Sequence, residues 1–348
     1  MSLFSEPEIN FIVEEDLVFA VDKDVLLERM REDLPPHTYY EPDEEDMIVA
    51  ARDYAAHLLE KKTRFERTNH LSPVAIIEPH QSNTRQWSIA ANPGLDIRAD
   101  FNNRAVDQFL YAHEDYVSTG LRITTPLQYL SDYGPVYSGL MEVQEVLTDG
   151  EEENADAGTW WQSEYKGQYV SWVNDICGVN IKIGFHPDAV PFETIQNLFA
   201  IWSTFERQIE NMYLDRDRYQ HKTFARTIVP VGSTEKNFRI SVYNTESLPE
   251  LSKFMFNPEN DSSRSKLQVL RQEQVVSIEK PWPANFEHAY VDFREHTGTL
   301  NADTIMEWVN FIACVTRFAH VLTEACLTFD AFGEALGLND LIEIIGYT

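Results

Sequence analysis

The sequence is poor in cysteine and in positive charge, and both shortages restrict what the protein can do. Its three cysteines (Cys177, Cys314 and Cys326) are too few and too scattered for a disulfide framework or a zinc site. Lys and Arg together number 28 against 57 Asp and Glu, which gives a formal net charge of -29. Such an acidic chain is unsuited to binding nucleic acid or an anionic membrane surface.

The sequence also lacks long apolar runs and several common functional motifs. No basic segment followed by an apolar one opens the chain, and no uninterrupted apolar run approaches about 18 residues. Neither a glycine-rich phosphate loop, nor a Gly-x-Ser-x-Gly motif, nor a solenoid repeat is present. We therefore expect a soluble cytoplasmic protein, without a membrane or nucleic-acid partner. The 348 residues, 43% of them hydrophobic, suffice for a large core, and we treat 1–348 as a single domain.

The stretch from Tyr290 to Asn301 carries the densest set of chemically useful side chains. Alternation along a strand predicts that Asp292, Arg294 and His296 share one face. An acid, a cation and an imidazole in line suit a cleft that handles a carboxylate or a phosphate. The alternative is an edge strand with a solvated polar face.

Asn301 is a suitable N-cap for the helix that follows this stretch, and the helix has an apolar stripe that we assign to the core. Its members recur at helical spacing: Ile305, Trp308, Val309, Ile312, Val315, Phe318 and Leu322.

Two acids lie within an apolar strand near the start of the chain. The pattern of residues 10–21 predicts a strand on which Glu14 and Asp16 share a face with Ile12 and Val18. Burying two carboxylates is costly unless a metal ion or positive side chains accompany them. An exposed acidic edge strand is the alternative.

The remaining pattern predicts a mixture of helices and strands. We expect helices over about 22–32, 46–67, 136–147 and 192–213, and a short helical tail within 326–348. We expect strands over 71–77, 87–91, 120–126, 178–185, 238–243 and 275–278. The acidic segment 149–158 is expected to be a surface loop. We place His186 beyond the 178–185 strand and do not expect it to be a ligand.

The run from Asp292 to Leu300, continuing into Ile305, Trp308 and Phe318-Ala319, resembles the C-terminal signature of an amidoligase family common in fungi. That family is grouped with glutamine synthetase and glutamate–cysteine ligase. Five blocks follow the family's order over about residues 10–325. The resemblance implies an α+β fold, with a curved, mainly antiparallel sheet whose concave face carries the site and whose other side is covered by helices.

The resemblance also implies a chemistry. Such a ligase joins a small carboxylate to an amine, which can belong to a peptide or protein, through an acyl phosphate made with ATP and Mg²⁺. By resemblance, Glu14 and Asp16 are metal ligands, and the catalytic residues are Asp292, Arg294 and His296. The residues implied to bind nucleotide or phosphate are Arg294, Lys182 and either Arg216 or Arg218.

Four expected site positions carry a different chemistry from the family pattern. Asn92 stands where an Asp is expected, Arg122 replaces a Glu, and Asn180 and Lys182 replace two His. Mg²⁺ prefers hard oxygen ligands, so these changes weaken a metal site. We hypothesise that Arg122 and Lys182 lie against Glu14 and Asp16 and replace the metal charge with ion pairs.

Three interpretations remain open at this stage. The chain is an active amidoligase with a shifted ligand set, using Glu14, Asp16, Arg294, His296 and Glu206, together with ATP and Mg²⁺. Alternatively, it is a catalytically impaired amidoligase-fold protein, a pseudoenzyme without cofactors, that binds a small anionic ligand or a protein partner. In the third interpretation it is a scaffold whose polar face has no function.

Overall fold

The computed structural model of the chain describes most of its predicted elements. The described residues are 7–32, 42–62, 75–77, 86–92, 95, 116–148, 169–173, 177–186, 190–213, 225–226, 228–229, 233–255, 273–274, 276–279, 290–329 and 337–346. The expected loop at 149–158, together with Arg216 and Arg218, lies outside them.

Eleven strands and eight α-helices are found within the described residues. The strands are β1 (Glu8–Asp22), β2 (Ala75–Ile77), β3 (Ser88–Ala91), β4 (Tyr116–Thr124), β5 (Gln128–Tyr129), β6 (Tyr169–Trp172), β7 (Gly178–His186), β8 (Ala225–Arg226), β9 (Glu273–Gln274), β10 (Val276–Glu279) and β11 (Tyr290–Thr297). The helices are α1 (Lys23–Glu32), α2 (Glu44–Lys62), α3 (Gly134–Thr148), α4 (Phe192–Tyr213), α5 (Glu235–Tyr243), α6 (Leu248–Met255), α7 (Ala302–Glu324) and α8 (Leu338–Ile345).

The main sheet is open and almost entirely antiparallel. Its strand order is β10-β11-β7-β1-β4-β3-β2, with β5 and β6 also paired to β1. β2 and β3 run parallel, as do β8 and β9, which form a separate two-stranded sheet. The fold class is therefore α+β, as predicted.

The long strand β1 lies inside the sheet, between β4 and β7, and β11 lies between β7 and β10. Both strands that carry the candidate residues are thus paired on both sides. The edge-strand alternatives for residues 10–21 and for the 290–301 stretch are wrong.

The two faces of the sheet differ in character. The odd-numbered residues of β1, among them Phe11, Val13 and Leu17, belong to the large core formed with the helices. At the centre of this helix-covered face, the Trp202 ring of α4 lies 4.8 Å from the Phe293 ring and 5.9 Å from the Trp308 ring. The even-numbered residues of β1 point to the opposite face, which we call the polar face.

Helix α7 carries the apolar stripe that the sequence predicts to lie in the core. Asn301 caps it, because the side-chain oxygen accepts a hydrogen bond from the Thr304 N–H at 2.9 Å. Among the described residues α7 alone is long and apolar enough to cross a membrane, but most of that window is buried inside the protein. Its predicted role as a core helix is confirmed.

One predicted strand is wrong. Residues 238–243 belong to helix α5, where Phe238 and Val242 lie one turn apart and are both buried. Thr234 begins this helix by accepting a hydrogen bond from the Asn237 N–H at 3.2 Å. The sequence from Phe238 to Val242 alternates apolar and polar residues, but local capping and the contact with α4 decide in favour of the helix.

Candidate functional site

The polar face gathers charged residues from four adjacent strands. Asp16 of β1 is the Cα partner of Arg122 on β4, and Glu14 is the partner of Asn180 on β7. Further along the sheet, Lys182 of β7 lies opposite Asp292 of β11. Residues directly opposite each other in an antiparallel pair point to the same face, so the register alone brings these side chains together.

Asp16 is held by two donors from neighbouring strands. Arg122 Nε donates to Asp16 Oδ1 at 2.8 Å and Arg122 Nη2 donates to Oδ2 at 3.2 Å, which is a two-point guanidinium–carboxylate contact. Asn92 Nδ2 also donates to Oδ1, at 2.9 Å. Asn92 therefore serves as a hydrogen-bond donor to Asp16.

Glu14 is held by two cations. Lys182 Nζ lies 2.9 Å from Glu14 Oε1, and Arg122 Nη1 lies 3.8 Å from Oε2. Burial raises the pKa of the Glu14 carboxyl, but the charges of Lys182, Arg122 and Arg294 outweigh burial and bring it down to about 2. Glu14 is thus a carboxylate throughout the neutral range. The hypothesis that Arg122 and Lys182 lie against Glu14 and Asp16 is confirmed.

A third buried carboxylate, that of Asp292, is also paired with a cation. Arg294 donates from Nε and Nη2 to Asp292 Oδ2, and Asp292 is fully buried. We call Glu14, Asp16, Asp292, Arg122, Lys182 and Arg294 the ion-pair cluster. Its three carboxylates and three cations sum to a formal charge of zero.

The cations of the cluster lie nearer to solvent than the acids they pair with. The side chains of Arg122, Lys182 and Arg294 are 23%, 12% and 15% exposed, whereas those of Glu14, Asp16 and Asp292 are 8%, 9% and 0% exposed. The three cations are therefore only partly buried, whereas the carboxylates they pair with are almost fully buried.

His296 does not belong to this cluster, and the prediction that it shares a face with Asp292 and Arg294 is wrong. The pairing of β11 with β7 shifts by one residue between Phe293 and His296. This irregularity reverses the alternation, so His296 lies opposite the core residue Val179. Its ring packs against Trp308 at 5.7 Å, on the helix-covered face.

Two further expected residues fall elsewhere. Glu206 lies on α4, and its buried carboxylate accepts a hydrogen bond from the Ile228 N–H at 2.6 Å. His186, expected beyond the strand, is instead the last residue of β7. It shares the face of Asn180 and Lys182, and its ring lies 5.2 Å from the Tyr129 ring.

The sequence analysis did not identify a second set of neighbouring residues, Asn10, Gly184 and Tyr290, which lies beside the ion-pair cluster. Asn10 and Gly184 are Cα partners, and a Cβ atom on Gly184 would lie 2.5 Å from Asn10 Oδ1 and 2.8 Å from Tyr290 Cε1. The glycine therefore leaves room for the side chains of Asn10 and Tyr290 to approach β7 at this position. Alternation along β1 places Asn10 on the face of Glu14, so this signal was present in the sequence.

A metal ion would have to compete for ligands that already have partners. Within the described parts of the chain, no group of three or more His, Cys, Asp and Glu side chains is arranged to hold a metal. Glu14 and Asp16 could contribute carboxylate oxygens, but their positions face Arg122 and Lys182 at ion-pair distance.

Comparison with known proteins finds no match to a family model, to a curated protein or to a solved structure.

Proposed function

We propose that this chain is an amidoligase-like protein of glutamine synthetase-like fold in which ion pairs have replaced the metal site. In this proposal it acts in the cytoplasm by binding a small anionic ligand on the polar face, and it does not carry out magnesium-dependent ligation. The observation that supports the proposal best is the position of Arg122, which contacts Asp16 and Glu14 together.

Magnesium-dependent ligation demands carboxylates that are available to a metal. Mg²⁺ requires near-octahedral oxygen ligands and takes carboxylates and phosphates for this purpose. Here both oxygens of Asp16 accept hydrogen bonds from Arg122, and one oxygen of Glu14 lies beside Lys182. A divalent ion between Glu14 and Asp16 would have to expel the Arg122 guanidinium, and the carboxylates already have a matching positive charge.

The same cations favour an anionic ligand. Guanidinium groups bind carboxylates and phosphates through two parallel hydrogen bonds, and the cluster exposes two arginines and a lysine outward. These cations stand out in a chain whose net charge is -29. A small dicarboxylate or a phosphate fits this chemistry better than a cationic or apolar molecule.

Thermal unfolding with added ligands tests the proposal. The purified chain is heated with ATP alone, with ATP and millimolar Mg²⁺, with malonate, with inorganic phosphate, and with sodium chloride at matched ionic strength. A ligand well above its dissociation constant stabilises the native state by mass action, so a midpoint rise of a few degrees is expected for malonate or phosphate over the chloride control.

The measurements with ATP, with and without Mg²⁺, distinguish a protein that only binds an anion from an active ligase. We expect Mg²⁺ to add nothing to the effect of ATP, because Glu14 and Asp16 already have Arg122 and Lys182 as partners. A magnesium-dependent rise would overturn the proposal in favour of an active ligase, and pairs of carboxylates and amines would then be screened for ADP release. Equal thermal unfolding midpoints in malonate, phosphate and chloride would overturn the proposal that the polar face binds a small anionic ligand.

A further inference from the structure

The amide of Asn10 lies on the polar face beside the ion-pair cluster, and one of its atoms has no partner. Asn10 is the Cα partner of Gly184 on β7 and of Tyr129 on β5, and only 5% of it is exposed. Its Nδ2 donates to the carbonyl oxygen of Phe185 at 3.5 Å. Its Oδ1 is buried and accepts no hydrogen bond from the described part of the chain. Asn10 therefore holds a buried acceptor that these residues do not satisfy.

The orientation of this amide follows from its surroundings. If Oδ1 and Nδ2 were exchanged, two carbonyl oxygens, those of Asn10 and Phe185, would face each other. A Cβ atom on Gly184 would lie 2.5 Å from Oδ1, so the oxygen points over the glycine on the polar face. Leaving a buried acceptor without a donor is costly. The oxygen is therefore suited to a donor that a bound molecule brings.

This acceptor is close to the cations of the ion-pair cluster. Lys182 lies two residues from Gly184 on β7 and points to the same face, which separates their Cα atoms by about 7 Å. Lys182 also lies opposite Ile12, the next residue of β1 on the polar face after Asn10. A small molecule whose anionic group contacts Lys182 can thus place a second polar group near Asn10.

The Tyr290 ring lies at the approach to this oxygen. Its Cε1 would be 2.8 Å from a Cβ atom on Gly184, so the edge of the ring rests over the glycine next to Asn10 Oδ1. No hydrogen bond to another described residue holds the Tyr290 hydroxyl. We expect a ligand to reach Asn10 by turning this ring aside, which breaks no hydrogen bond of the tyrosine within that part of the chain.

The donor that suits this position is neutral. The nearest member of the cluster along β7 is the cation Lys182, which repels an ammonium group. Glu8, the residue of β1 before Asn10 on this face, is exposed and accepts a hydrogen bond from the Ser131 hydroxyl at 2.8 Å. An ammonium group at Asn10 would lose hydration without a buried carboxylate beside it. A hydroxyl group donates a hydrogen bond and brings no charge.

We propose that Asn10 makes the polar face selective for anions that carry a hydroxyl group, such as a hydroxy acid or the phosphate of a polyol. This inference rests on the proposed function, since the ion-pair cluster must hold the anionic group. The ligand hydroxyl donates to Asn10 Oδ1, while the carboxylate or phosphate of the ligand contacts the cations near Lys182. Asn10 is then a specificity residue, because it separates such anions from those without a hydroxyl group.

Calorimetric titration with matched anions tests this proposal. Each enantiomer of malate is compared with succinate and with aspartate, and glycerol 3-phosphate is compared with propyl phosphate, all at matched ionic strength. We expect the hydroxylated member of at least one pair to bind the wild-type protein about tenfold more tightly than the plain anion, because it satisfies a buried acceptor. The two pairs also distinguish a carboxylate ligand from a phosphate ligand.

Two leucine variants separate the role of Asn10 from general effects. Asn10→Leu removes the acceptor and should bind both members of each pair with the affinity that wild type shows for the plain anion. Asn339→Leu changes an exposed residue of α8, which packs on α7 and α4, and should keep the wild-type preference. If Asn10→Leu does not fold, Asn10→Ala removes the same acceptor and takes its place.

Equal affinities within both pairs for the wild-type protein would overturn the selectivity and leave the proposed anion site in place. A preference that survives in Asn10→Leu would overturn the role of Asn10. Tighter binding of aspartate than of malate would overturn the choice of a hydroxyl donor. Absence of binding by every one of these anions to the wild-type protein would overturn the proposed function, and this inference with it.

Discussion

The guanidinium of Arg122 donates two hydrogen bonds to the carboxylate of Asp16 on the neighbouring strand, with Nε 2.8 Å from Oδ1 and Nη2 3.2 Å from Oδ2. This contact links β4 to β1 at the point where the polar face carries its charges. Because Arg122 also approaches Glu14, one side chain compensates two carboxylates. A divalent cation placed between these carboxylates would have to displace the Arg122 guanidinium.

Replacing Lys182 by methionine should destabilise the protein markedly. Glu14 would lose its closest cation while remaining buried, and breaking a buried ion pair on one side costs about 3 kcal/mol. Urea unfolding at pH 7 measures the change. The double variant Glu14→Gln/Lys182→Met removes both charges and should recover most of the loss. A Lys182→Met protein as stable as the wild type would contradict the role of this pair.

Acid should weaken the fold through Glu14. The pKa of Glu14 is lowered from its ordinary value of 4.5 to about 2, because its cations outweigh the effect of burial. Its contribution to stability is therefore fully present above pH 4.5 and is lost as pH falls towards 2, a difference of about 3 kcal/mol. Unfolding free energies from pH 5 to 2 should fall more steeply in wild type than in Glu14→Gln. Parallel curves would show that Glu14 is not held as an ion pair.

Adding a methyl group at Gly184 should destabilise the protein by crowding Asn10 and Tyr290. Its Cβ would lie 2.5 Å from Asn10 Oδ1 and 2.8 Å from Tyr290 Cε1, so Gly184→Ala should cost about 1–3 kcal/mol. Gly134→Ala is the matched control, since nothing lies within 4 Å of its Cβ position and alanine favours a helix. Equal urea midpoints for the two variants would disprove the close contact across β7.

The two sides of β11 should respond differently to mutation. Arg294→Gln should abolish the stabilisation by malonate or phosphate, because Arg294 presents a cation on the polar face. His296→Phe should leave that stabilisation unchanged, because His296 packs against Trp308 on the other face. Thermal midpoints with and without each anion measure both effects. Loss of the anion effect in His296→Phe alone would mean that the site lies on the helix-covered side.

Local periodicity predicted a good part of the fold and of the site. The alternation in residues 10–21 was enough to place Glu14 and Asp16 together, since side chains of a strand alternate strictly. The apolar spacing of residues 192–213 predicted α4 with its observed bounds. Conversely, the position of His296 could not be predicted, because a one-residue shift in pairing with β7 leaves no mark on the local pattern.

The sequence by itself determined most of the long strands and helices, although not the helix over 238–243, and which residues share a face on most of them, because both depend on the spacing of apolar side chains along the chain. It also led to the hypothesis that Arg122 and Lys182 lie against Glu14 and Asp16. Only the tertiary structure decided that Arg122, Lys182 and Arg294 meet Asp16, Glu14 and Asp292, since that depends on the order and register of β11, β7, β1 and β4. The tertiary structure likewise buried Glu15, because its strand partners Ile123 and Val179 belong to the core formed with the helices.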